Sequence, residues 1–237
     1  MAGHSKWANI KHKKAKEDAA RGKAFTKLIK EITIVARSGG DPAGNPRLRT
    51  LIEKAKHINM PQDNIKRAIQ KGTGELPGVA YEQMMYEGYG PGGIAVMVEV
   101  LTDNKNRAVA EVRHAFSRKG GNLAENGAVS WMFSQKGVIH ATGNNFSEDV
   151  VLEHLIDFAV DDVKKEDDFF SITCDPKALD EVKNACTTLG LTVESAEVEW
   201  VAQNNAELST DDETKAFEFL EALEELEDVQ NVYSNIG

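Results

Sequence analysis

The chain has few of the residues that mark redox, disulfide-bonded or metal-binding proteins. It has 2 cysteines in 237 residues, Cys174 and Cys186, and both lie in apolar patterns. Such cysteines indicate buried, reduced thiols rather than a disulfide framework. None of the 6 histidines has the spacing to a cysteine or carboxylate cluster that a metal site requires. We therefore expect a cytoplasmic protein without a bound metal.

Long apolar runs and catalytic patterns are missing as well. No stretch approaches the ~20 apolar residues that a membrane-spanning helix needs, and the lysine-rich N-terminus does not resemble a secretory signal. Gly88-Tyr-Gly-Pro-Gly-Gly93 lacks the Gly-Lys-Ser/Thr ending of a phosphate-binding loop and precedes a strand, so it predicts a turn. We expect no membrane contact, enzyme activity, catalytic residue, cofactor or small-molecule substrate.

What the sequence does have is a strong division of charge. Residues 1–75 carry 17 of the 28 Lys and Arg but 7 of the 38 Asp and Glu, so their net charge is +10 and that of residues 76–237 is −20. A basic segment favours a polyanion, because each neutralised phosphate releases a condensed counterion. The acidic remainder repels the same polyanion and confines the contact. The pattern favours nucleic-acid binding over docking of the basic segment on the chain's own acidic part.

The N-terminal 77 residues are predicted to form a basic arm and a three-helix bundle. Residues 1–20 have almost nothing to bury and are expected to be helical only when bound. Apolar residues then recur at three- and four-residue spacing in three segments between Lys23 and Gly72. Asn45 is expected to cap the second helix, with Pro46 at its first helical position.

From residue 78 onward, strand and helix patterns alternate. The predicted strands are residues 92–101, 129–133, 138–142, 169–174, 193–201 and 229–233. Helices are expected from Asp103 or Asn104, from Ser147, from Asp175 and, through a Thr210–Glu213 capping box, at 210–227. The C-terminal helix and strand, residues 210–227 and 229–233, supply the second helix and the last strand that the region from residue 78 to residue 136 lacks. We therefore predict an α+β fold: the helical domain, then two ferredoxin-like α/β sandwiches, residues 78–136 plus 204–237 and, inserted between them, residues 137–203.

The predicted nucleic-acid contacts are cations of the arm, of the first helix and of a basic island at residues 104–119. That island has five cations and Glu111 as its one acid, and a salt-bridged helix face explains it equally well. The acidic residues 204–228 are expected to face away from nucleic acid or to line an acidic concavity. The predicted contacts are Lys6, Lys11, Lys13, Lys14, Lys16, Arg21, Lys23, Lys27, Lys30, Arg107 and Arg113.

Three stretches of the chain resemble the YebC/PmpR family. The first is Met1-Ala-Gly-His-Ser-Lys-Trp-Ala-Asn-Ile-Lys-His-Lys-Lys, continuing to Arg21-Gly-Lys-Ala-Phe25. The second is Asn59-Met-Pro-Gln-Asp-Asn-Ile65, and the third combines Tyr86-Glu-Gly-Tyr-Gly-Pro-Gly-Gly93 with Val112-Arg-His-Ala-Phe116 and Gly120-Gly-Asn-Leu123. The resemblance spans essentially the whole chain. Ala124 and Ala128 depart from the Gly and Ser that the family often shows there.

The resemblance implies a three-domain cytoplasmic protein without enzymatic activity or cofactor. Bacterial members of the family are described as probable transcriptional regulators that bind promoter DNA. The family also includes a mitochondrial translational activator of cytochrome c oxidase, and bacterial relatives have been tied to ribosomes stalled on proline-rich nascent chains. The resemblance thus implies a regulator of gene expression with DNA or the ribosome as its partner.

We predict a DNA-binding transcriptional regulator, with a ribosome-associated translation factor as the alternative. The residues themselves lean toward RNA. No helix-turn-helix is evident, since Asn59-Met-Pro61 separates the second and third helices and Ile65, Ala68 and Ile69 mark the third as core-facing. The arm also has few base-reading Asn or Gln side chains, which suits contacts to the phosphate backbone better than sequence readout.

Overall fold

The computed structural model describes residues 21–143, 145–166 and 169–237. Over this part of the chain, three helices are followed by two four-stranded antiparallel sheets and four further helices. The helices are α1 (Arg21–Val35), α2 (Pro46–His57), α3 (Gln62–Thr73), α4 (Lys105–Arg118), α5 (Glu148–Leu155), α6 (Leu179–Leu189) and α7 (Thr210–Glu224). The strands are β1 (Glu82–Tyr89), β2 (Ala95–Thr102), β3 (Asn122–Ala124), β4 (Phe133–Thr142), β5 (Val160–Glu166), β6 (Phe169–Cys174), β7 (Thr192–Ala202) and β8 (Val229–Ser234). This confirms the predicted α+β class.

The first three helices form a bundle around an apolar core, as their periodicity predicts. Asn45 is the N-cap of α2: its side-chain oxygen accepts from the Leu48 N–H at 3.1 Å, and its amide donates to the carbonyls of Val35 and Gly39. This one buried side chain joins the end of α1 to the start of α2. The buried core of the bundle consists of Leu28, Ile32, Val35, Leu48, Leu51, Ala55, Met60, Ile65 and Ala68.

The first sheet has the strand order β3-β1-β2-β8, and α4 and α7 cover one of its faces. Alternate residues of β2, such as Val96 and Val98, are fully buried against these helices. Phe116 of α4 and Phe219 of α7 meet there edge to face, with ring centroids 5.0 Å apart. The pairing of β8 with β2 brings the last strand of the chain into a sheet that begins near residue 82.

The second sheet has the order β5-β6-β4-β7, with α5 and α6 on one face. Its elements follow the β-α-β-β-α-β sequence that the ferredoxin-like prediction requires. The first sheet does not, because its elements run β-β-α-β-α-β once β1 is included. The expectation of two ferredoxin-like units therefore fails for the first sheet, because β1 was not foreseen.

Several predicted elements differ from the structure. β1, β3 and β5 were missed, and residues 129–133 are not a strand, since Ser130–Met132 is a 3-10 turn that leads into β4. Asn104 caps α4, as one of the two predicted candidates, but α7 is capped by Ser209, whose hydroxyl accepts from the Asp212 N–H. The capping box at Thr210 was therefore placed one residue too late.

The two sheets are joined through their other faces. Ala95 and Met97 of β2 pack there with Phe133 of β4 and Ala202 of β7, and all four are buried. β4 is continuous from Phe133 to Thr142, so the predicted domain boundary at residues 136 and 137 falls inside a strand. The division into three domains stays a prediction.

Candidate nucleic-acid interface

The bundle carries a set of exposed cations that sequence reasoning largely missed. Among the predicted contacts, Lys23 is exposed on α1. Arg49 was not a predicted contact. It is exposed too, but its guanidinium donates to the carbonyls of Pro42 and Ala43 and so braces the loop before α2. The excess charge of residues 1–75 was the signal for further contacts, but sequence reasoning followed it only into the arm and first helix. The additional exposed cations are Arg37, Arg47, Lys56, Lys66, Arg67 and Lys71.

The third helix has one face in the core and one in solvent. Ile65 and Ala68 are buried, whereas Gln62, Lys66 and Arg67 are exposed. Residues 58–61 join α2 to α3, and Asn59 among them adopts a positive φ of 59°. A four-residue turn between two helices is typical of helix-turn-helix units, whose second helix enters the major groove by its N-terminal residues. The prediction that α3 faces the core therefore holds for one side of the helix, and the other side is exposed to solvent.

Lys30 is not available to phosphate, which corrects its predicted role. The residue is 4% exposed, and its ammonium lies 2.8 Å from Oδ1 of Asp228. It also donates to the carbonyl of Glu227 at 3.1 Å. A lysine that points into the protein and has a carboxylate partner holds α1 against the end of α7 and the start of β8.

Lys27, one turn earlier, takes part in the same contact. Its ammonium donates to the carbonyl of Gln230 in β8 at 3.2 Å, and the residue is half-buried. Two of the four predicted cations at positions 21–30 therefore bind the body of the protein. We call the contact of Lys27 and Lys30 with residues 227–230 the α1 dock.

Asp228 lies at the centre of the α1 dock. It is 3% exposed, and it accepts from the Thr102 hydroxyl at 2.8 Å and from Nη2 of Arg107 at 2.7 Å in addition to Lys30. Burial alone would raise the pKa of Asp228, but the hydrogen bonds from Lys30, Arg107 and Thr102 outweigh it and lower the pKa below the usual value of an aspartate. The carboxylate is therefore charged, and the dock is a fully paired ionic network.

A second contact joins the bundle to the other sheet. Lys54 of α2 lies 2.6 Å from Oε1 of Glu197 in β7, and both side chains are partly exposed. Burial favours the neutral amine, but the charges of Glu197 and Glu31, together with the hydrogen bond to Glu197, outweigh it and raise the pKa of Lys54. Glu31 lies nearby; burial raises its pKa, Lys54 opposes the rise, and Glu197 and Glu99 add to it. The α1 dock and this pair hold the bundle against both sheets.

Most of the basic island in residues 104–119 is also paired. Lys105 lies 2.7 Å from Glu82, Arg107 binds Asp103 and Asp228, and Lys119 lies 3.5 Å from Glu218. Arg113 and Arg118 are exposed. The salt-bridged alternative therefore accounts for three of the five cations, including Arg107. Arg113 is the predicted contact of this segment that stays on the surface.

The remaining predicted contacts lie at the start of the chain. Lys6, Lys11, Lys13, Lys14 and Lys16 lie outside the described residues, and Arg21 is the first residue of α1. The structure thus leaves Lys23 and Arg113 on the surface, turns Lys27, Lys30 and Arg107 toward partners within the protein, and adds the exposed cations of α2 and α3.

The acidic helix α7 packs on the first sheet by its apolar face. Ala216, Leu220 and Leu223 are fully buried. Its outer face borders an open groove along α4 of about 520 Å³. The groove has cations on the α4 side and carboxylates on the α7 side. It is lined by Glu111, His114, Arg118, Lys119, Glu218, Glu221 and Glu225.

Comparison with known proteins assigns the chain to a family. A family model described as the TACO1/YebC protein N-terminal domain matches residues 5–75, and one described as the TACO1/YebC second and third domain matches residues 81–236. The chain belongs to the TACO1/YebC family. Among the residues that the structure describes, no helix is long and apolar enough to cross a bilayer.

Relatives within the TACO1/YebC family match over nearly their whole length. A protein of Acidobacterium capsulatum named "Probable transcriptional regulatory protein" is 54% identical over 235 residues, which are 99% of this chain and 96% of the relative. A similarly named protein of Koribacter versatilis is 52% identical and covers 100% of this chain. The crystal structure of a conserved hypothetical protein from Aquifex aeolicus has a TM-score of 0.85 at 46% identity and covers 94% of this chain and 93% of its own.

Proposed function

We propose that the chain is a non-enzymatic, cytoplasmic regulator of gene expression that binds nucleic acid through its basic N-terminal segment, in first place promoter DNA. The observation that carries this proposal is the division of roles among the cations of the bundle. Lys27, Lys30 and Lys54 hold the bundle on the acidic body, and Arg49 braces a loop, while seven other cations of residues 23–71 are exposed. Contacts within the protein account for the first group only, and the second group can meet an external anion.

The pair α2 and α3 favours DNA as that anion. The exposed face of α3 starts with Gln62 and continues with Lys66 and Arg67. Gln is a base-reading side chain in the major groove, and Arg and Lys contact guanine edges or phosphates. The names of the bacterial relatives, "Probable transcriptional regulatory protein", point the same way.

A ribosome-associated translation factor is the second candidate. The exposed cations lie on all three helices and on the α1–α2 connection, not on α3 alone, and Arg37 and Arg47 illustrate this spread. Such a distribution suits a folded RNA that surrounds the bundle through its phosphates, because shape and backbone contacts dominate the recognition of structured RNA. In this case the acidic body would remain outside the RNA.

Salt dependence tests the basic segment as the binding element. If about six cations meet phosphates, the logarithm of the binding constant should fall against the logarithm of salt concentration with a slope of about −4 to −5. Deleting residues 1–22 should flatten the slope and remove most of the affinity. Unchanged binding by the truncated protein would show that the arm is not the binding element.

Two parallel experiments separate DNA from the ribosome. DNA footprinting on genomic promoter fragments, with competitor DNA present, should give a discrete footprint for a transcriptional regulator. Ribosome co-sedimentation from lysate at increasing salt should give salt-sensitive association for a translation factor. Exchanging Gln62 for Ala should change the footprint in the first case and leave ribosome association unchanged in the second, with Gln135, exposed on β4, as the matched control position.

A further inference from the structure

Two aromatic side chains stay on the surface although the chain around them is firmly packed. Trp131 is 70% exposed and Tyr89 is 39% exposed. Trp131 is flanked by Val129 and Phe133, which are 0% and 5% exposed and belong to the core between the sheets. Large aromatic side chains in contact with water lose the hydrophobic stabilisation that burial gives, and exposed Trp and Tyr mark interaction surfaces.

Both aromatic side chains are anchored on one carbonyl oxygen. Nε1 of Trp131 donates to the carbonyl of Ala128 at 3.1 Å, and the hydroxyl of Tyr89 donates to the same oxygen at 3.2 Å. A carbonyl oxygen has two lone pairs, so this acceptor is fully used. The polar hydrogens of both rings are satisfied inside the protein. What the two residues offer to a partner is their ring surfaces.

The loop that carries Trp131 is held by a buried carboxylate. Glu87 is 5% exposed; its Oε1 accepts from the Gly127 N–H at 2.9 Å, and its Oε2 accepts from Val129 at 2.8 Å and from Ser130 at 2.9 Å. Burial by itself raises the pKa of Glu87, but these backbone donors outweigh it and lower the pKa. The loop is thus fixed before any partner binds, which reduces the entropy lost on binding.

The charge of the loop that carries Trp131 favours one kind of partner. Residues 122–133 contain Glu125 and no Lys or Arg, and they belong to the part of the chain with net charge −20. Surfaces that stack single-stranded nucleic acid combine aromatic rings with cations for the phosphates, which this loop lacks. A planar guanidinium stacks on Trp and Tyr rings and is attracted by negative charge.

We propose that Tyr89 and Trp131 form an aromatic platform that binds arginine side chains of a basic polypeptide. The platform lies next to β3, at the edge of the first sheet opposite β8 and the α1 dock. A protein partner on the platform therefore leaves the exposed cations of the bundle accessible. The proposal does not depend on the nature of the nucleic acid.

Fluorescence anisotropy with labelled peptides tests the platform in the full-length protein. The probes are two peptides of equal length and charge, one alternating Arg and Gly and one alternating Lys and Gly. We expect the arginine peptide to bind about 5-fold more tightly, because guanidinium stacking on exposed rings is stronger than the ammonium contact. Trp131→Ala should reduce its affinity to that of the lysine peptide, and Tyr89→Phe, which keeps the ring but loses the anchoring hydroxyl, should lose part of the preference.

Ile156→Ala is the matched control, because Ile156 is 73% exposed on the second sheet's helical side and lies outside the platform. It should bind both peptides as the wild type does. The proposal is wrong if the wild type shows no arginine preference or no measurable binding, or if Trp131→Ala keeps the preference. It is also wrong if Trp131→Ala weakens binding of a labelled single-stranded RNA but not of the arginine peptide. Deleting residues 1–22 should weaken RNA binding and leave peptide binding unchanged, so that the two proposals fail separately.

Discussion

At the scale of single residues, two lysines of the same helix have different surroundings: one forms a buried ion pair and the other is exposed to solvent. Lys23 and Lys30 lie two turns apart on α1, and the sequence treats them alike. One is in solvent, and the other forms a buried ion pair with Asp228, which is 198 residues away along the chain. Residues seven positions apart share a helix face, so the difference is their position along α1: Lys30 lies level with Glu227 and Asp228, and Lys23 lies two turns nearer the N-terminus. Lys30 is a positioning residue for the basic bundle, whereas Lys23 is exposed and stays a predicted phosphate contact.

The substitution Lys30→Met tests this distinction. Removing one partner of a buried ion pair usually costs about 3–5 kcal/mol, because the other charge stays buried. Arg107 and Thr102 continue to bind Asp228, so we expect a smaller loss of about 2 kcal/mol in the free energy of unfolding, measured in urea. Lys23→Met, the control on the same helix, should change stability by less than about 0.5 kcal/mol.

Binding data complete this test. If Lys30 acts only within the protein, Lys30→Met should leave the salt slope of nucleic-acid binding unchanged under conditions where the variant is folded. Lys23→Met should reduce the slope by about 1, the value for one lost phosphate contact. If Lys30→Met reduces the salt slope and Lys23→Met does not, Lys30 is a phosphate contact and the α1 dock is wrong.

Because Glu87 holds the Trp131 loop through its charged carboxylate, we expect the stability of the protein to depend on pH. Its pKa is lowered in the folded protein, so its stabilisation is complete above the unfolded value of about 4.3 and is lost as the pH falls through the lower folded value. We expect Glu87→Gln to cost about 2 kcal/mol at neutral pH, since an amide cannot replace both acceptor oxygens. The difference from the wild type should shrink as urea unfolding is repeated at pH values below about 4. Glu153→Gln, at an exposed position of α5, should change the free energy of unfolding at neutral pH by less than about 0.5 kcal/mol.

At the scale of helices and strands, close packing inside the bundle depends on a glycine. A Cβ at Gly72 of α3 would clash with the carbonyl of Thr33 and lie 2.7 Å from Cβ of Ala36. Within the described part of the chain, Gly22 of α1 has nothing within 4 Å of its Cβ position. The same substitution should therefore have opposite effects in the two helices.

We expect Gly72→Ala to destabilise the protein by about 2 kcal/mol, because α1 and α3 must move apart. Gly22→Ala should stabilise it by about 0.5–1 kcal/mol, because alanine has the higher helix propensity and fits without contact. Thermal unfolding followed by circular dichroism measures both. A loss of stability in both variants would mean that the N-terminal part of α1 is itself closely packed.

The sequence predicts elements well where their signals are local. The bundle helices were found because their apolar stripes and the Asn45 cap lie within the segments themselves, and β6 was found from its continuous apolar run. β1 was missed because its half-exposed residues, with a glycine at position 88, show no clear alternation; its pairing with β2 and β3 supplies the hydrogen bonds that define it. The α1 dock was missed for the same reason, since its partners come from opposite ends of the chain.

At the scale of the whole molecule, ion pairs join the basic bundle to the acidic remainder of the chain. Lys30 and Lys54 use part of the positive charge to hold the bundle on the first and second sheets, respectively. Lys105, Arg107 and Lys119 are similarly paired with carboxylates, whereas Arg113 and Arg118 are exposed, and the net charge of residues 76–237 is −20. A polyanion is therefore attracted by the bundle and repelled by the rest of the surface.

Charge reversal on α7 tests that repulsion. Glu221 and Glu225 are exposed and line the groove opposite Arg118, whereas Glu224 is half-buried and is better left in place. The double substitution Glu221→Lys and Glu225→Lys makes the groove predominantly positive without touching the buried face of the helix. We expect stronger non-specific binding of nucleic acid and a salt slope that is steeper by about 1 to 2, because the two lysines can each meet a phosphate.

The matched control places the same charge change on the second sheet, away from the groove, with Asp180→Lys and Glu181→Lys at the exposed start of α6. The control raises the net charge equally, so it should reproduce the long-range part of the effect but not the steeper slope. If the α7 variant binds nucleic acid more weakly than the wild type, either the acidic face of α7 is part of the binding surface or its partner is a basic protein. Either result would overturn the assignment of binding to the bundle alone, with α7 repelling phosphate.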